Sequence, residues 1–164
     1  IVGTISDWQR YKHSHQFAFG IGDNYARFKL FKLLSKSNCI LPNIIHPSAI
    51  ISPYAQIGQG NVLFANTVVN PNAKIGNAVI VNTQATIEHD CVVKDAAHLS
   101  PHVALAGTVT VGEYAWLGIN TCVVQGVTIA AHTQTGAGSA IVKDTITQTL
   151  YVGIPAKAKK KLTS

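Results

Sequence analysis

From Ile45 to Ile141 the chain carries an aliphatic residue at every sixth position: Ile45, Ile51, Ile57, Leu63, Val69, Ile75, Val81, Ile87, Val93, Leu99, Leu105, Val111, Leu117, Val123, Ile129 and Ile141, with Thr135 the one exception. Four residues after each comes a small or β-branched side chain, from Ala49 and Ala55 through Cys91 to Ser139 and Thr145, broken only by Asn61. A short period held in phase that long signals a solenoid, in which each unit buries its apolar face only by stacking on its neighbours. One inward aliphatic and one small corner residue per hexad suit a triangular coil of three hexads. Residues eighteen apart then lie directly above one another, separated by about 4.8 Å, the spacing of neighbouring strands. Gly58, Gly76, Gly112 and Gly118 directly follow aliphatic positions, where a bend or a close backbone approach is expected.

The 164 residues hold one domain, or one domain with a small appendage. The repeat's Ile and Val suit strands better than helices. No apolar run reaches the length of a membrane span, and the N-terminus lacks the pattern of a signal peptide, so the expectation is a cytoplasmic protein with no membrane span. The net charge of +6 is modest, and part of it sits in Lys157, Lys159, Lys160 and Lys161. No aromatic residues interleave with these lysines, which argues against nucleic acid as a partner and for a solvated tail or a seat for phosphates. Cys39, Cys91 and Cys122 form no C-x-x-C pair and read as reduced thiols.

Residues 1–41 stand apart from the repeat region, 42–164. Phe17-Ala18-Phe19-Gly20-Ile21-Gly22-Asp23-Asn24 reads as a buried strand and a loop. Tyr25 to Ser35 reads as an amphipathic helix, capped by Asn24, with Phe28, Phe31 and Leu34 on one face. The section is too short for a complete nucleotide-binding βαβ unit and lacks a G-x-G-x-x-G, so the chain is expected to begin partway through a domain.

The densest group of histidines and carboxylates lies between Val81 and Gly107. Three hexads per coil put His89 beneath Gly107, and Ile119 beneath Ala137. Acyl transfer needs a base to take a proton from the attacking amine or hydroxyl, and a donor aimed at the carbonyl oxygen where charge develops. The His89 imidazole and the Gly107 N–H can supply both. Asp90 and Glu88 flank the histidine, and either carboxylate fixing its tautomer needs a local bend, because neighbours in a regular strand point to opposite faces. His98 follows nine residues on. Trp116, one coil above it, reads as packing or as the border of a cofactor groove, and His13, His15, His46 and His132 as solvated.

Ile87-Glu88-His89-Asp90-Cys91-Val92-Val93, Ala97-His98-Leu99-Ser100-Pro101, Leu117-Gly118-Ile119-Asn120-Thr121 and Val152-Gly153-Ile154-Pro155-Ala156-Lys157 together resemble the bacterial sugar acetyltransferases of the sialic acid O-acyltransferase and UDP-4-amino-sugar N-acetyltransferase group. Phe19-Gly20-Ile21-Gly22-Asp23-Asn24 followed by Arg27 is similar to the end of that group's nucleotide-sugar-binding subdomain. The resemblance implies a left-handed parallel β-helix with a small N-terminal α/β remnant, assembled as a homotrimer with active sites between subunits. It also implies acetyl-CoA as co-substrate, no metal, and a nucleotide-linked amino sugar of the UDP-4-amino-4,6-dideoxy type as acceptor in bacterial glycan synthesis. His89 becomes the catalytic base and Asp90 its support. His98, Gly107, Ile119 and Ala137 become acetyl-CoA contacts, and Gly20, Asn82 and Glu88 substrate contacts.

Other readings share the repeat. An O-acetyltransferase would use the same base on a sugar hydroxyl. A γ-class carbonic anhydrase needs three histidines on zinc, but His98 and His102 are four apart in a repeat of six and fall on different parts of the coil. A bare scaffold predicts no acetyl-CoA binding.

Overall fold

The computed structural model describes residues 3–162. Seventeen two-residue strands, from β1 (Ile44–Ile45) to β17 (Ala140–Ile141), wind into a triangular prism walled by three sheets. Sheet A takes every third strand from β1, sheet B from β2 (Ile50–Ile51) and sheet C from β3 (Gln56–Ile57). Pairing is parallel, with partners eighteen residues apart. In sheet A Ile80 pairs with His98 and His98 with Trp116, in sheet B Thr86 pairs with Ala104, and in sheet C Val92 pairs with Thr110. This is the left-handed β-helix that the six-residue period and the resemblance lead one to expect.

The inward column is the core. Val81, Ile87, Leu99, Val111, Leu117 and Ile129 are fully buried, and burying each such side chain is worth about 1.5–3 kcal/mol. The column opens at its lower end, where Ile45 has no rung beneath it and stays 43% exposed. Both exceptions to the pattern are hydrogen-bonded from within. Asn61 donates from Nδ2 to the Gly76 carbonyl (2.9 Å) and accepts the Val79 N–H (2.7 Å), while Thr135 Oγ1 accepts the Gly118 N–H (2.9 Å) and pairs with Thr121 Oγ1 (2.7 Å).

From Gly60 to Gly138 each corner turns through one left-handed residue, three places after the inward residue of its hexad. Asn66, Asn72, Ala78, Gln84, Asp90, Ala96, His102, Thr108 and Tyr114 all have φ between 52° and 61°. A turn of this kind favours proline one place earlier, and Pro71 and Pro101 stand there. His89, Gly107, Ile119 and Ala137 occupy the same place in their own hexads.

The N-terminal section holds a 3₁₀ turn (Ile5–Asp7), a short helix α1 (Trp8–Tyr11) and helix α2 (Asn24–Lys36). Three expectations need correction here. The stretch from Phe17 forms no strand, because no neighbouring strand lies beside it among the described residues and its backbone tie is the Phe17 N–H to the Ile40 carbonyl (3.0 Å). The cap of α2 is Asp23, whose Oδ1 accepts the Ala26 N–H (2.7 Å). Asn24 lies on the stripe facing the solenoid, so its side chain is buried and donates to the Tyr114 carbonyl (3.1 Å). That stripe continues through Arg27, Phe28, Phe31 and Leu34 and packs with Phe19, Ala78 and Ala96. His132, read as solvated, instead accepts or donates a 2.6 Å hydrogen bond with the Tyr25 hydroxyl and stacks on Tyr114.

After the last coil β18 (Thr149–Gly153) and β19 (Ala156–Lys161) form an antiparallel hairpin that extends sheet A. The four lysines lie exposed on β19, an edge strand, where charge discourages further pairing.

Candidate active site

The turn between β8 (Thr86–Ile87) in sheet B and β9 (Val92–Val93) in sheet C carries Glu88, His89 and Asp90 on one edge of the prism. The edge is fixed by backbone rungs: Asp90 donates to the Pro71 carbonyl below (3.1 Å), and the His89 carbonyl accepts the Thr108 N–H above (2.9 Å). Asp90 is the left-handed residue of this turn, with φ 59°. That conformation is the local bend the pairing requires, and it brings Asp90 Oδ2 to 2.8 Å from His89 Nδ1. Asn72, one coil lower, donates to the other oxygen, Oδ1 (3.1 Å). The bond from His89, and then that from Asn72, hold the Asp90 carboxyl below its ordinary range. Glu88 does not reach the imidazole; it turns to the sheet B side and accepts from Asn70 Nδ2 (2.9 Å).

The ring of His89 lies against Gly107. A β-carbon there would come within 2.6 Å of both Cε1 and Nε2, so only glycine leaves the imidazole in this place. The Gly107 N–H meets no acceptor among the described residues. Beneath the corner Cys91 is buried and its thiol donates to the Ala106 carbonyl (3.1 Å); burial pushes its pKa up.

The other expected site residues lie elsewhere on the chain. Ile119 and Ala137 stack on the edge between sheets A and B, joined by the Gly138 N–H to the Ile119 carbonyl (2.8 Å). His98 stands on the outer face of sheet A, its ring stacked on Trp116 with centroids 5.9 Å apart. Trp116 packs on His98 with one face and is 47% exposed overall, which leaves room for both readings of it. Both His98 ring nitrogens are buried without a hydrogen-bond partner. Burial first, and the nearby Arg27 second, pull the His98 pKa down to about 4. Gly20, Asn82 and His98 border one cavity of about 270 Å³ beneath the Gly20–Gly22 loop. Within one chain the structure therefore groups His89, Asp90, Glu88 and Gly107, groups Gly20, Asn82 and His98, and leaves Ile119 and Ala137 on a third locus. No three His, Cys, Asp or Glu side chains among the described residues converge as metal ligands.

No family model and no curated protein matches the chain. Solved structures do. GDP-perosamine N-acetyltransferase from Caulobacter crescentus, in a histidine-to-alanine variant with CoA and GDP-perosamine bound, is 40% identical over 94% of this chain and 73% of its own, with a TM-score of 0.90. The acetyltransferase domain of PglB from Neisseria gonorrhoeae, in complex with acetyl coenzyme A, is 33% identical over 97% of this chain and 78% of its own, with a TM-score of 0.95. The chain belongs to the hexapeptide-repeat sugar acetyltransferases. Membership gives the stacked corners of this sugar acetyltransferase a chemical context that a bare solenoid lacks.

Two residues of this acetyltransferase escaped the sequence reading. Asn72 stands eighteen before Asp90, so the arithmetic that put Gly107 above His89, run downward, would have found it. Arg27 was quoted only as part of a motif, yet it is fully buried on the apolar stripe of α2, and a lone cation in an apolar stripe is itself a signal.

Proposed function

We propose that this chain transfers the acetyl group of acetyl-CoA to the amino group of a nucleotide-linked amino sugar, with His89 as general base. The observation that carries the reading is the Asp90–His89–Gly107 arrangement. An ionised Asp90 can only accept, so the proton of the imidazole sits on Nδ1 and Nε2 holds the free lone pair. As the neutral amine attacks the thioester carbonyl a C–N bond forms, and Nε2 takes the amine proton. The Gly107 N–H, unpaired beside the ring, is the donor for the tetrahedral oxyanion. Collapse breaks the C–S bond, and the imidazolium returns the proton to the leaving thiolate.

His98, Ile119 and Ala137 enter as acetyl-CoA contacts only if a second chain completes the site. The two edges in question flank sheet B, whose outward positions carry one charge, Glu88, with the polar Asn70 and Thr86 beside it, and toward its upper end small or apolar side chains such as Ala104, Cys122, Val124, Ala140 and Val142. Three copies turned with sheet B toward a common axis set the His89 edge of each against the Ile119 edge of the next, a closed cyclic arrangement. This supports a homotrimer with one site per interface. No helix among the described residues is long and apolar enough to cross a membrane, and the substrates are those of the cytoplasm, where we place the reaction.

The test is acetyl-CoA turnover, followed by thiol release and product mass, with GDP- and UDP-linked amino sugars and a hydroxyl-only sugar as control. Transfer to an amino sugar, reduced about a thousandfold by His89→Ala in a folded protein, is expected, since a positioned general base is worth about 10²–10⁴. Near-normal turnover of His89→Ala sinks the mechanism, and transfer to the hydroxyl sugar alone sinks the choice of acceptor.

A further inference from the structure

Arg27 is fully buried and touches no carboxylate. Its guanidinium is solvated by the backbone instead. Nε donates to the Ala78 carbonyl (2.7 Å), Nη1 to the Ile21 and Gly22 carbonyls (3.0 Å each), and Nη2 to the Ala96 carbonyl (3.0 Å) and Asn24 Oδ1 (2.8 Å). Burial lowers its pKa to about 10, so it remains a cation at neutral pH. Ala78 and Ala96 are left-handed corners of the solenoid, whereas Ile21 and Gly22 belong to the loop that enters α2. One side chain thus ties that loop to two successive coils.

The tie fixes how the loop's peptide groups point. In a trans peptide the N–H lies opposite the C=O of the preceding residue. With the Ile21 and Gly22 carbonyls turned inward to Arg27, the N–H groups of Gly22 and Asp23 turn away from it, and neither meets an acceptor among the described residues. Two further observations point to a ligand at this loop. Gly20 and Gly22 have ordinary φ, and a β-carbon on either would meet nothing within 4 Å, so neither turn geometry nor packing within the chain calls for glycine; a close-approaching ligand does. His98, across the same cavity, has both ring nitrogens buried with no well-formed hydrogen bond, and the Gly22 backbone of this same loop is the polar group that acts on the ring.

We infer that Arg27 is a positioning residue for the acceptor: by holding two loop carbonyls inward it presents the opposite faces of those peptides, as N–H donors, to the diphosphate of the nucleotide sugar. The inference rests on the acetyltransferase reading above and deepens it. Lysine carries the charge but not the planar fork, and cannot hold both loop carbonyls and both corners at once.

The experiment is calorimetric titration of wild type, Arg27→Lys and Gly22→Ala with a GDP- or UDP-linked amino sugar, with the same sugar lacking the nucleotide, and with acetyl-CoA, alongside thermal melts. Arg27→Lys is expected to weaken the nucleotide sugar about tenfold or more, as loss of oriented donors to a charged group implies, while acetyl-CoA binds as before. Unchanged nucleotide-sugar affinity in the folded variant overturns the inference, and so does an equal loss for acetyl-CoA, which marks general loosening. If Arg27→Lys does not fold, Gly22→Ala decides. Its β-carbon enters open space, so it folds, and it must lose nucleotide-sugar affinity selectively or the inference falls. A wild type that binds the sugar but forms no product sinks the acetyl-transfer reading alone, because affinity still judges Arg27.

Discussion

His89 lies directly beneath Gly107, with the imidazole filling the space a side chain on that glycine would need. In Gly107→Ala the methyl group meets Cε1 and Nε2 at 2.6 Å, and the ring, exposed on its other side, gives way outward. The fold has little to lose, since the displaced group is the end of a side chain. The reaction has much to lose, because a shift of about 1 Å in a reacting group costs about a hundredfold in rate. Gly107→Ala is therefore expected to melt within a few degrees of wild type and to turn over about a hundredfold more slowly. Full turnover would remove Gly107 from the mechanism.

Asp90 supports His89 through charge as well as geometry. Asn at position 90 keeps the left-handed backbone at no extra strain, since asparagine tolerates it well, and removes only the charge. Turnover of Asp90→Asn is expected to fall by about a hundredfold or more, toward the roughly 10⁴-fold that follows when a histidine's aspartate becomes asparagine and frees the wrong tautomer, with the melting temperature unchanged. The carboxyl is held below its ordinary pKa, so its bonds with His89 and Asn72 are complete above the ordinary carboxylate pKa and fail only as pH falls through the lowered one. The titration of Asp90 itself therefore adds no limb to the pH profile near neutrality, and a carboxyl limb at pH 6–7 created by Asn72→Ala would contradict this.

His98 makes a different pH prediction. Its folded pKa of about 4 lies below the ordinary 6.5, so the unfolded chain takes up a proton that the folded one refuses. Stability is full above about 6.5 and falls as pH drops toward 4, by at most about 3 kcal/mol. Melting curves from pH 7 to 4.5 should drop more steeply for wild type than for His98→Gln. Parallel curves would mean that the ring finds water or a partner.

The fold was legible because one inward residue per hexad is a local requirement repeated without interruption, and vertical register follows from the period alone. Gly107 above His89 was therefore readable from arithmetic. Asp90 against His89 was not, since it depends on a left-handed φ at an aspartate, a choice that Gln84 and Thr108 make equally in their own turns. Thr135 read as a flaw in the aliphatic column until its bonds with Gly118 and Thr121 gave it a reason. The N-terminal section was least legible. Its cap lay one residue before the expected position, and Arg27 draws its meaning from carbonyls more than fifty residues away.

The spread of the site over two prism edges carries the last prediction. His89 and Ile119 lie on edges that sheet B separates, so in the proposed homotrimer each site draws one of them from each neighbour. Cys122, exposed one strand from the upper end of sheet B, should not tolerate a charge at such an interface. Cys122→Arg is expected to run as a monomer in analytical ultracentrifugation, with normal circular dichroism and no turnover. Complementation gives a sharper reading. His89→Ala and Ala137→Arg, each inactive alone, are mixed and reassembled. Random exchange leaves about a quarter of interfaces with both native edges, and activity returns to that extent. A site contained in one chain predicts no recovery at all, because every chain in the mixture then carries one of the two defects.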